Sequence, residues 1–140
     1  MGLSFQLHVV SERGEYFSGP VDHVSVPGVD GSLGIYFGHA PVLAQLKPGV
    51  LEITHPDGEV EKMLLEGGIV EVQRMGTTVL ANTCRRAGDL DRDRALRACE
   101  SAQECIHTCA DEERVRQAYA RLEVALAQLQ VLEAKKQRRR

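Results

Sequence analysis

The sequence predicts an α+β protein in which an N-terminal antiparallel β-sandwich, residues 1–87, precedes a C-terminal antiparallel α-helical hairpin, residues 88–140. Two observations predict this class. Up to residue 87, short runs rich in β-branched residues are separated by Gly, Pro and Asp, whereas from Asp89 onward apolar residues recur every three or four positions. A chain of 140 residues has room for one ordinary core and a small appendage.

The first part of the chain reads as a series of strands. The stretch LSFQLHVV, residues 3–10, predicts a half-buried strand whose apolar face consists of Leu3, Phe5, Leu7 and Val9. Seven further runs follow: VDHVSV, LGIY, VLAQL, VLEIT, VEKMLLE, IVEVQ and TTVLANT. HPDGE predicts a hairpin turn between Thr54 and Val60. Because such short strands cannot each bury a face alone, we expect two sheets packed face to face.

The second part of the chain reads as two helices. Asp89 or Asp91 is expected to cap the first helix and Asp111 the second. The first helix has an apolar stripe formed by Ala95, Ala98, Cys99, Ala102 and Ile106. The second has a stripe of strict three-and-four spacing formed by Val115, Ala118, Leu122, Ala125, Leu129 and Leu132. Because only a few residues join the helices, we expect an antiparallel hairpin that depends on docking for its stability.

Composition excludes several classes of function. The chain has no Trp and only 4% aromatic residues, so it has no stacking platform for single-stranded nucleic acid. No run approaches the roughly 20 apolar residues of a membrane span, and the first ten residues lack the basic and apolar regions of a leader, so a soluble, unexported chain is expected. Neither paired carboxylates nor a Ser-His-Asp set follows from the spacing. The sequence therefore predicts a protein that is not an enzyme.

The C-terminus is strongly basic. Five of the 17 Lys and Arg residues fall in the last six positions: Lys135, Lys136, Arg138, Arg139 and Arg140. The rest of the chain has 12 basic and 20 acidic residues, so a basic tail follows an acidic body. Two interpretations are open: cations that complement the negative end of a helix dipole, or a contact with an acidic protein surface.

The four cysteines are Cys84, Cys99, Cys105 and Cys109. In an unexported protein they are expected to be reduced thiols. Cys105 and Cys109 share a helix face and could supply two metal ligands, but His107 points about 160° away at about 100° per residue. The cysteines are therefore expected to serve as small buried hydrophobic side chains rather than as metal ligands. The alternative is a cytosolic metal- or ligand-binding β-sandwich, in which these two cysteines and His107 would matter.

One segment predicts a contact surface. GIYFGHAPVLAQLKPG, residues 34–49, carries three glycines and two prolines among apolar residues. It has too many breakers for a helix and too much apolar surface for an ordinary solvated loop. It also lacks a nucleophile beside its His and a phosphate-binding glycine pattern. A contact with another protein is therefore expected here.

Four motifs together resemble the epsilon subunit of F-type ATP synthase, of the bacterial and chloroplast type: FSG (17–19), GSLGIYFGHAPVLAQLKPG (31–49), LEGGIVEV (65–72) and LDRDRA (90–95). The resemblance spans essentially the whole chain. It implies a non-catalytic rotor-stalk subunit that couples gamma to the c-ring and inhibits ATP hydrolysis when its hairpin extends to the alpha/beta hexamer. It also implies a peripheral position on the cytoplasmic face of the energy-transducing membrane, with no segment inserted into the bilayer.

The resemblance implies an interface with gamma and the c-ring, formed by Ser32, Leu33, Gly34, Phe37, Gly38 and His39. Ser32, Leu33 and His39 are the ring-facing candidates. Many members carry an acidic residue where Ser32 stands and a proline where Phe37 stands, so here Phe37 is expected to supply apolar area. The alternative for His39 is a loop imidazole that is hydrogen-bonded to backbone.

LDRDRA resembles a motif, I/L-D-x-x-R-A, that binds ATP in some bacterial members. The resemblance implies that Asp91 and Arg94 contact a regulatory ATP. The alternative is that Asp91 caps the helix and Arg94 is solvated. ATP-binding members add arginines further along both helices, where this chain has Ser101, Val124 and Gln128. No other cofactor is expected.

Overall fold

The computed structural model describes the backbone of residues 3–138 and the side chains of residues 3–134. The strands are β1 (Phe5–Ser11), β2 (Gly14–Val21), β3 (His23–Gly28), β4 (Gly31–Tyr36), β5 (Val42–Thr54), β6 (Val60–Gln73), β7 (Gly76–Ala81) and β8 (Cys84–Arg85). A 3-10 turn at Ala87–Asp89 leads into the helices α1 (Arg92–Thr108) and α2 (Glu112–Arg138). The α+β class, with the sandwich before the hairpin, is confirmed.

The sandwich is one hydrogen-bonded sheet that folds over on itself. Its order is β2-β1-β7-β6-β5-β3-β4, with β8 beside β6. β5 and β6, of 13 and 14 residues, are long enough to belong to both layers. Residues 42–46 of β5 and 68–72 of β6 join the layer of β7, β1 and β2. The opposite halves of the two strands join the layer of β3, β4 and β8.

The sequence predicts an interruption in each of β5 and β6, but in the structure both strands are continuous. VLAQL and VLEIT were expected to be separate strands, as were VEKMLLE and IVEVQ, and this expectation is wrong. The breaker sequences KPG and EGG lie inside continuous strands. Gly67 and Gly68 have φ of +100° and +144°, a region that L side chains rarely adopt. Glycine thus lets β6 pass from one layer to the other without ending.

The structure also differs from the expected topology at one edge of the sheet. β2 has the sequence GEYFSGPV, in which Gly, Ser and Pro obscure the alternation, so it was not predicted as a strand. As an edge strand, β2 tolerates Pro20. β1 and β7 pair in parallel, so the expectation of a wholly antiparallel sandwich is wrong at this pair. No hairpin joins these two strands, and therefore no tight turn imposes opposite directions.

The core lies between the two layers. Leu7 and Val9 are completely buried, as the alternation in β1 predicts. Leu3, expected on the same face, precedes β1 and is 67% exposed, so that assignment is wrong. Met63 and Leu65 of β6 also point into this core. The HPDGE hairpin turn is confirmed by the pairing of the residues on either side of it, Thr54 and Val60.

The two helices pack through small side chains. The predicted stripe of α2 is buried or half-buried along its whole length. On α1, Ala95, Cys99 and Ala102 are buried, whereas Ala98 is exposed, contrary to expectation. Small residues at the contact let the two helices approach closely.

Both helices have an aspartate at the N-cap, as predicted. The Asp91 carboxylate accepts the N–H of Arg94 at 3.2 Å, and the Asp111 carboxylate accepts the N–H of Glu113 at 3.0 Å. Of the two caps considered for α1, Asp91 is therefore the one used, since Asp89 belongs to the 3-10 turn.

The hairpin docks on the outer face of β5 and β6. Leu64, which alternates with the core residues of β6, is completely buried against Ala127 and Val131 of α2. At the edge of this contact, Lys47 Nζ lies 2.9 Å from Glu123 Oε1. Over residues 3–138, neither helix is both long and apolar enough to cross a membrane.

Candidate functional site

The predicted interface residues are arranged along β4, an edge strand. Ser32 and Leu33 lie beside the turn between β3 and β4, whereas Phe37, Gly38 and His39 follow the other end of β4, in the connection to β5. A strand of six residues is about 16 Å long. The structure therefore does not bring the six predicted residues into one loop, but distributes them along β4 and into the connection that follows it.

Gly34 lies in the middle of β4 and makes room for a neighbouring ring. A Cβ at this position would lie 3.1 Å from Nε2 of His23, on the adjacent strand. The His23 ring in turn packs on Tyr36, with 4.2 Å between ring centroids. Gly34 therefore acts on this surface through packing, and the pair of rings beside it lies at the start of β3 and the end of β4.

The connection between β4 and β5 has a defined shape. Gly38 has φ of +80°, and no atom lies within 4 Å of a Cβ built there. The His39 N–H donates to the Tyr36 carbonyl at 3.1 Å, and the ring Nδ1 donates to the Ala40 carbonyl at 2.7 Å. His39 is thus the backbone-bonded imidazole that was one of its two interpretations.

We name the "Phe37 end" the end of the sandwich formed by residues 36–43, the turn 74–75 between β6 and β7, and residues 3–4 before β1. It carries large exposed apolar side chains: Leu3 (67% exposed), Tyr36 (63%), Phe37 (55%), Leu43 (68%) and Met75 (87%). Between the loop and the turn lies an open cleft of about 700 Å³. Clustered exposed apolar residues mark a contact surface.

Sequence reasoning missed part of the Phe37 end. Tyr36 and Leu43 lie within the quoted segment 34–49 but were not singled out as contact residues. Arg74 and Met75 are far away in the sequence and reach this end only because β6 and β7 pair beside the start of β5. The sequence signal that could have identified Met75 is its place in a tight turn, where a large apolar side chain is expected to be exposed. Met75 is indeed 87% exposed.

The predicted ATP residues stand at the start of α1. Asp91 is engaged as the helix cap, and Arg94 is exposed. By its spacing Arg94 shares a face of α1 with Ser101. A groove between α1 and α2 is lined by Ala98, Ser101, Ala120, Arg121, Val124, Ala125 and Gln128. The structure therefore brings together Ser101, Val124 and Gln128, and one cation, Arg121, lines the groove.

Substitutions at Asp91 separate the cap from a nucleotide contact. Asp91→Ala is expected to lower the free energy of unfolding by about 1 kcal/mol, because an N–H at the start of α1 loses its acceptor. Asp91→Asn keeps the acceptor oxygen and is the matched control, which is expected to unfold like the parent. Chemical denaturation measures both.

ATP binding stays a prediction. Calorimetry with millimolar ATP tests it on the full chain. If the chain gives binding heat and Arg94→Ala abolishes it, the Arg94 guanidinium contacts the nucleotide. If no heat is seen, Asp91 acts only as the helix cap.

The four cysteines have free thiols and fall into two pairs. Cys84 is buried in the sandwich, where burial raises its pKa to about 11, and Cys99 is buried between the helices. These two are the small buried hydrophobes that were expected. Cys105 and Cys109 are only half-buried, so the expectation of small buried hydrophobes is wrong for this pair. Cys109 is the C-cap of α1.

Two further sequence predictions concern metal binding and the basic tail. Within the described residues, no group of three or more His, Cys, Asp or Glu is placed to hold a metal ion. The side chains of the basic tail lie outside the described residues: Lys135, Lys136, Arg138, Arg139 and Arg140.

Comparison with known proteins gives a family. A model described as "ATP synthase, Delta/Epsilon chain, beta-sandwich domain" matches residues 4–87, which is more than half of the chain. A chain of the Euglena gracilis mitochondrial ATP synthase, in a structure of OSCP, F1 and the c-ring, matches with a TM-score of 0.79 and 21% identity over 92% of this chain and 81% of that one. A chain of the Tetrahymena thermophila mitochondrial ATP synthase central stalk and c-ring matches with a TM-score of 0.60 and 19% identity over 94% and 98%. The structural matches support the fold, and the family match, which confirms the resemblance of the motifs, shows that the chain belongs to the family of ATP synthase delta/epsilon chains.

Proposed function

We propose that the chain is the non-catalytic central-stalk subunit of an F-type ATP synthase, which couples gamma to the c-ring so that they turn as one rotor. The observation that carries this proposal is the Phe37 end. A family member that exposes Tyr36, Phe37, Leu43 and Met75 at one end of its sandwich has a surface suited to a protein partner.

The geometry of β4 supports two contacts rather than one. The turn with Ser32 and Leu33 and the Phe37 end lie at opposite ends of this edge strand. A subunit that joins two partners needs two separate surfaces. Gamma and the c-ring are the two partners that we assign to them. At the Phe37 end, Arg74 and the His39 ring add polar groups around the apolar centre, which is the arrangement typical of protein interfaces.

The cleft at the Phe37 end lacks the groups of a hydrolytic site. Of the described residues that line it, none is an Asp, Glu, Cys or Lys, and its ionisable groups are Tyr36, His39 and Arg74. Acid–base or nucleophilic catalysis needs a base oriented beside a second reactive group. A contact role for this end therefore fits better than catalysis.

The location that we propose is the cytoplasmic face of the membrane, where the partners of the chain hold it.

The hairpin is proposed to inhibit ATP hydrolysis by leaving the sandwich and reaching the alpha/beta hexamer. Its contact with the sandwich is small: of the residues whose side chains are described, three are buried there, against 16 in the core of the sandwich. The Lys47–Glu123 ion pair adds little, since both side chains are about half exposed. A small contact of this kind suits an element that docks and undocks.

Gly38→Val is expected to weaken assembly with gamma and the c-ring while the isolated chain still folds. At a φ of +80° a β-branched side chain strains the backbone, so the loop that presents Phe37 and His39 must change shape. Co-purification of a tagged chain from detergent-solubilised membranes measures the loss.

Gly14→Val is the matched control. Gly14 has φ of +127° and open space around it, but lies at the β1–β2 turn, at the far end of β1 from Phe5, which lines the cleft of the Phe37 end. It should keep full co-purification despite a similar local strain. Equal recovery of gamma and the c-ring with both variants would count against the Phe37 end as the contact.

A further inference from the structure

The connection between the two helices holds two cysteines close together. Cys109 is the C-cap of α1 with extended backbone, φ −76° and ψ 133°, and its N–H donates to the Cys105 carbonyl at 2.9 Å. This bond keeps one helical turn between the two residues, which places their Cα atoms about 6 Å apart. That separation is within the roughly 4.4–6.8 Å that disulfides span.

The two thiols also interact with each other. A side-chain hydrogen bond with Cys109 is the largest influence on Cys105 and raises the pKa of its thiol, with burial acting in the same direction. The Cys105 S–H is also directed to the Arg114 carbonyl in the first turn of α2, at 3.9 Å. The pair therefore lies at the junction of both helices.

The surface around the pair is cationic and open. Cys105 and Cys109 line a groove together with Arg114, Gln117, Ala120 and Arg121. The charges of Arg121 and Arg114 act against the hydrogen bond and lower the pKa of Cys105. They also favour carboxylates near the sulfurs, because guanidinium groups pair with carboxylates. A small disulfide that carries carboxylates matches this groove better than a cationic one.

We propose that Cys105 and Cys109 form a redox-responsive dithiol that an anionic small-molecule disulfide converts to an intramolecular disulfide. One cysteine thiolate attacks the S–S bond of the small molecule, a mixed disulfide forms, and one thiolate leaves and takes up a proton. The second cysteine loses its proton to solvent and attacks the mixed disulfide, which closes the Cys105–Cys109 bond and releases the second thiol. Two electrons pass from the cysteines to the small disulfide, and no other reactant is needed.

Closure fixes the junction of the hairpin. Residues 109–111 form the whole connection between α1 and α2, and the new bond ties the first of them to α1. The consequence for ATP hydrolysis rests on the proposed function, since a fixed junction limits how the hairpin rearranges when it extends. The chemistry of the pair does not depend on that function and is tested on the isolated chain.

Thiol counting on the full chain with oxidised glutathione as the probe tests the closure. The denatured product is expected to have two titratable thiols in place of four, with peptide mapping that joins Cys105 to Cys109. Its mass is expected to fall by about 2 Da without a glutathione adduct. Cys105→Ser and Cys109→Ser each abolish closure, whereas Cys99→Ser, at a buried position, keeps it. Four remaining thiols, a stable glutathione adduct, a bond to another cysteine or a bond between two copies would overturn the proposal.

Charge variants test the preference for an anionic disulfide. The double variant Arg114→Gln, Arg121→Gln is expected to slow closure by oxidised glutathione severalfold and to leave closure by cystamine, a cationic disulfide, unchanged or faster. Added salt is expected to reduce the difference. Equal slowing with both reagents would contradict a role for the two arginines in selecting the oxidant, and with it the anionic class of disulfide.

Discussion

Truncation after Gly88 is expected to leave a folded sandwich that still assembles with gamma and the c-ring, and to raise ATP hydrolysis by the complex. No strand is lost from the described part of the chain, because β8 ends at Arg85, and none of the described helix side chains enters the core between the layers. Loss of the cover over Leu64 is expected to cost about 2 kcal/mol of unfolding free energy. Denaturation and hydrolysis assays measure the two effects.

Val131→Asp is the informative companion to the truncation. A carboxylate at this buried position is expected to release the hairpin from Leu64 without removing it, so hydrolysis should fall where truncation makes it rise. Leu126→Asp, at a half-exposed position of α2, is the matched control and should leave hydrolysis unchanged. If the truncated chain assembles and hydrolysis does not change, the hairpin is not inhibitory.

Neutralising the basic tail is expected to reproduce part of the rise in hydrolysis. The five cations are Lys135, Lys136, Arg138, Arg139 and Arg140. An exposed electrostatic contact weakens as salt is added, so the effect should shrink at high ionic strength. An effect that does not depend on salt would point away from a contact of the tail with an acidic surface.

Gly68→Ala is expected to unfold the sandwich. A Cβ at Gly68 would lie 2.2 Å from the Leu80 carbonyl oxygen and 2.9 Å from the Ala81 Cα, and φ is +144°. Both neighbours are backbone of the paired strand β7, so neither can move aside without breaking the pairing. The expected loss of unfolding free energy exceeds about 4 kcal/mol, which is a large part of the stability of a small domain.

Gly67→Ala is the control for this substitution. Gly67 also has a positive φ, +100°, but the nearest atom to its Cβ is the side-chain nitrogen of Asn82 at 3.0 Å, which can turn away. The expected cost is about 1–2 kcal/mol. Thermal melting compares the loss of stability in the two variants. If Gly68→Ala is as stable as Gly67→Ala, the backbone of β7 moves to accommodate the new Cβ, and the prediction is wrong.

The sequence predicts most of the fold because apolar residues alternate in the first part of the chain and recur every three or four positions in the second. Alternation in β1 identifies Leu7 and Val9, and the stripe of α2 identifies Ala118 and Ala125, all of them buried. Prediction from the sequence fails where the same residue type can either end a strand or let it continue. Glycine and proline in KPG and EGG normally end a strand, yet Gly68 allows β6 to continue into the second layer.

The site is less predictable than the fold because its parts come from distant segments. Phe37 and His39 follow from one motif, but Met75 joins them only through the register of β5, β6 and β7. The position of Cys109 depends on the end of α1, and helix ends are not fixed by periodicity. Contacts that depend on strand register or on a helix terminus therefore required the structure.

The central claim, that the chain turns with the rotor, is tested most directly by photo-crosslinking in the assembled complex. A photoreactive amino acid at Phe37, a half-exposed position, is expected to form a covalent bond to gamma or to a c subunit. Because parts of one rotor do not move relative to each other, the linked complex should keep its ATP hydrolysis. A crosslink from Phe37 to an alpha or beta subunit, or a loss of hydrolysis in proportion to the yield of the crosslink, would contradict the account.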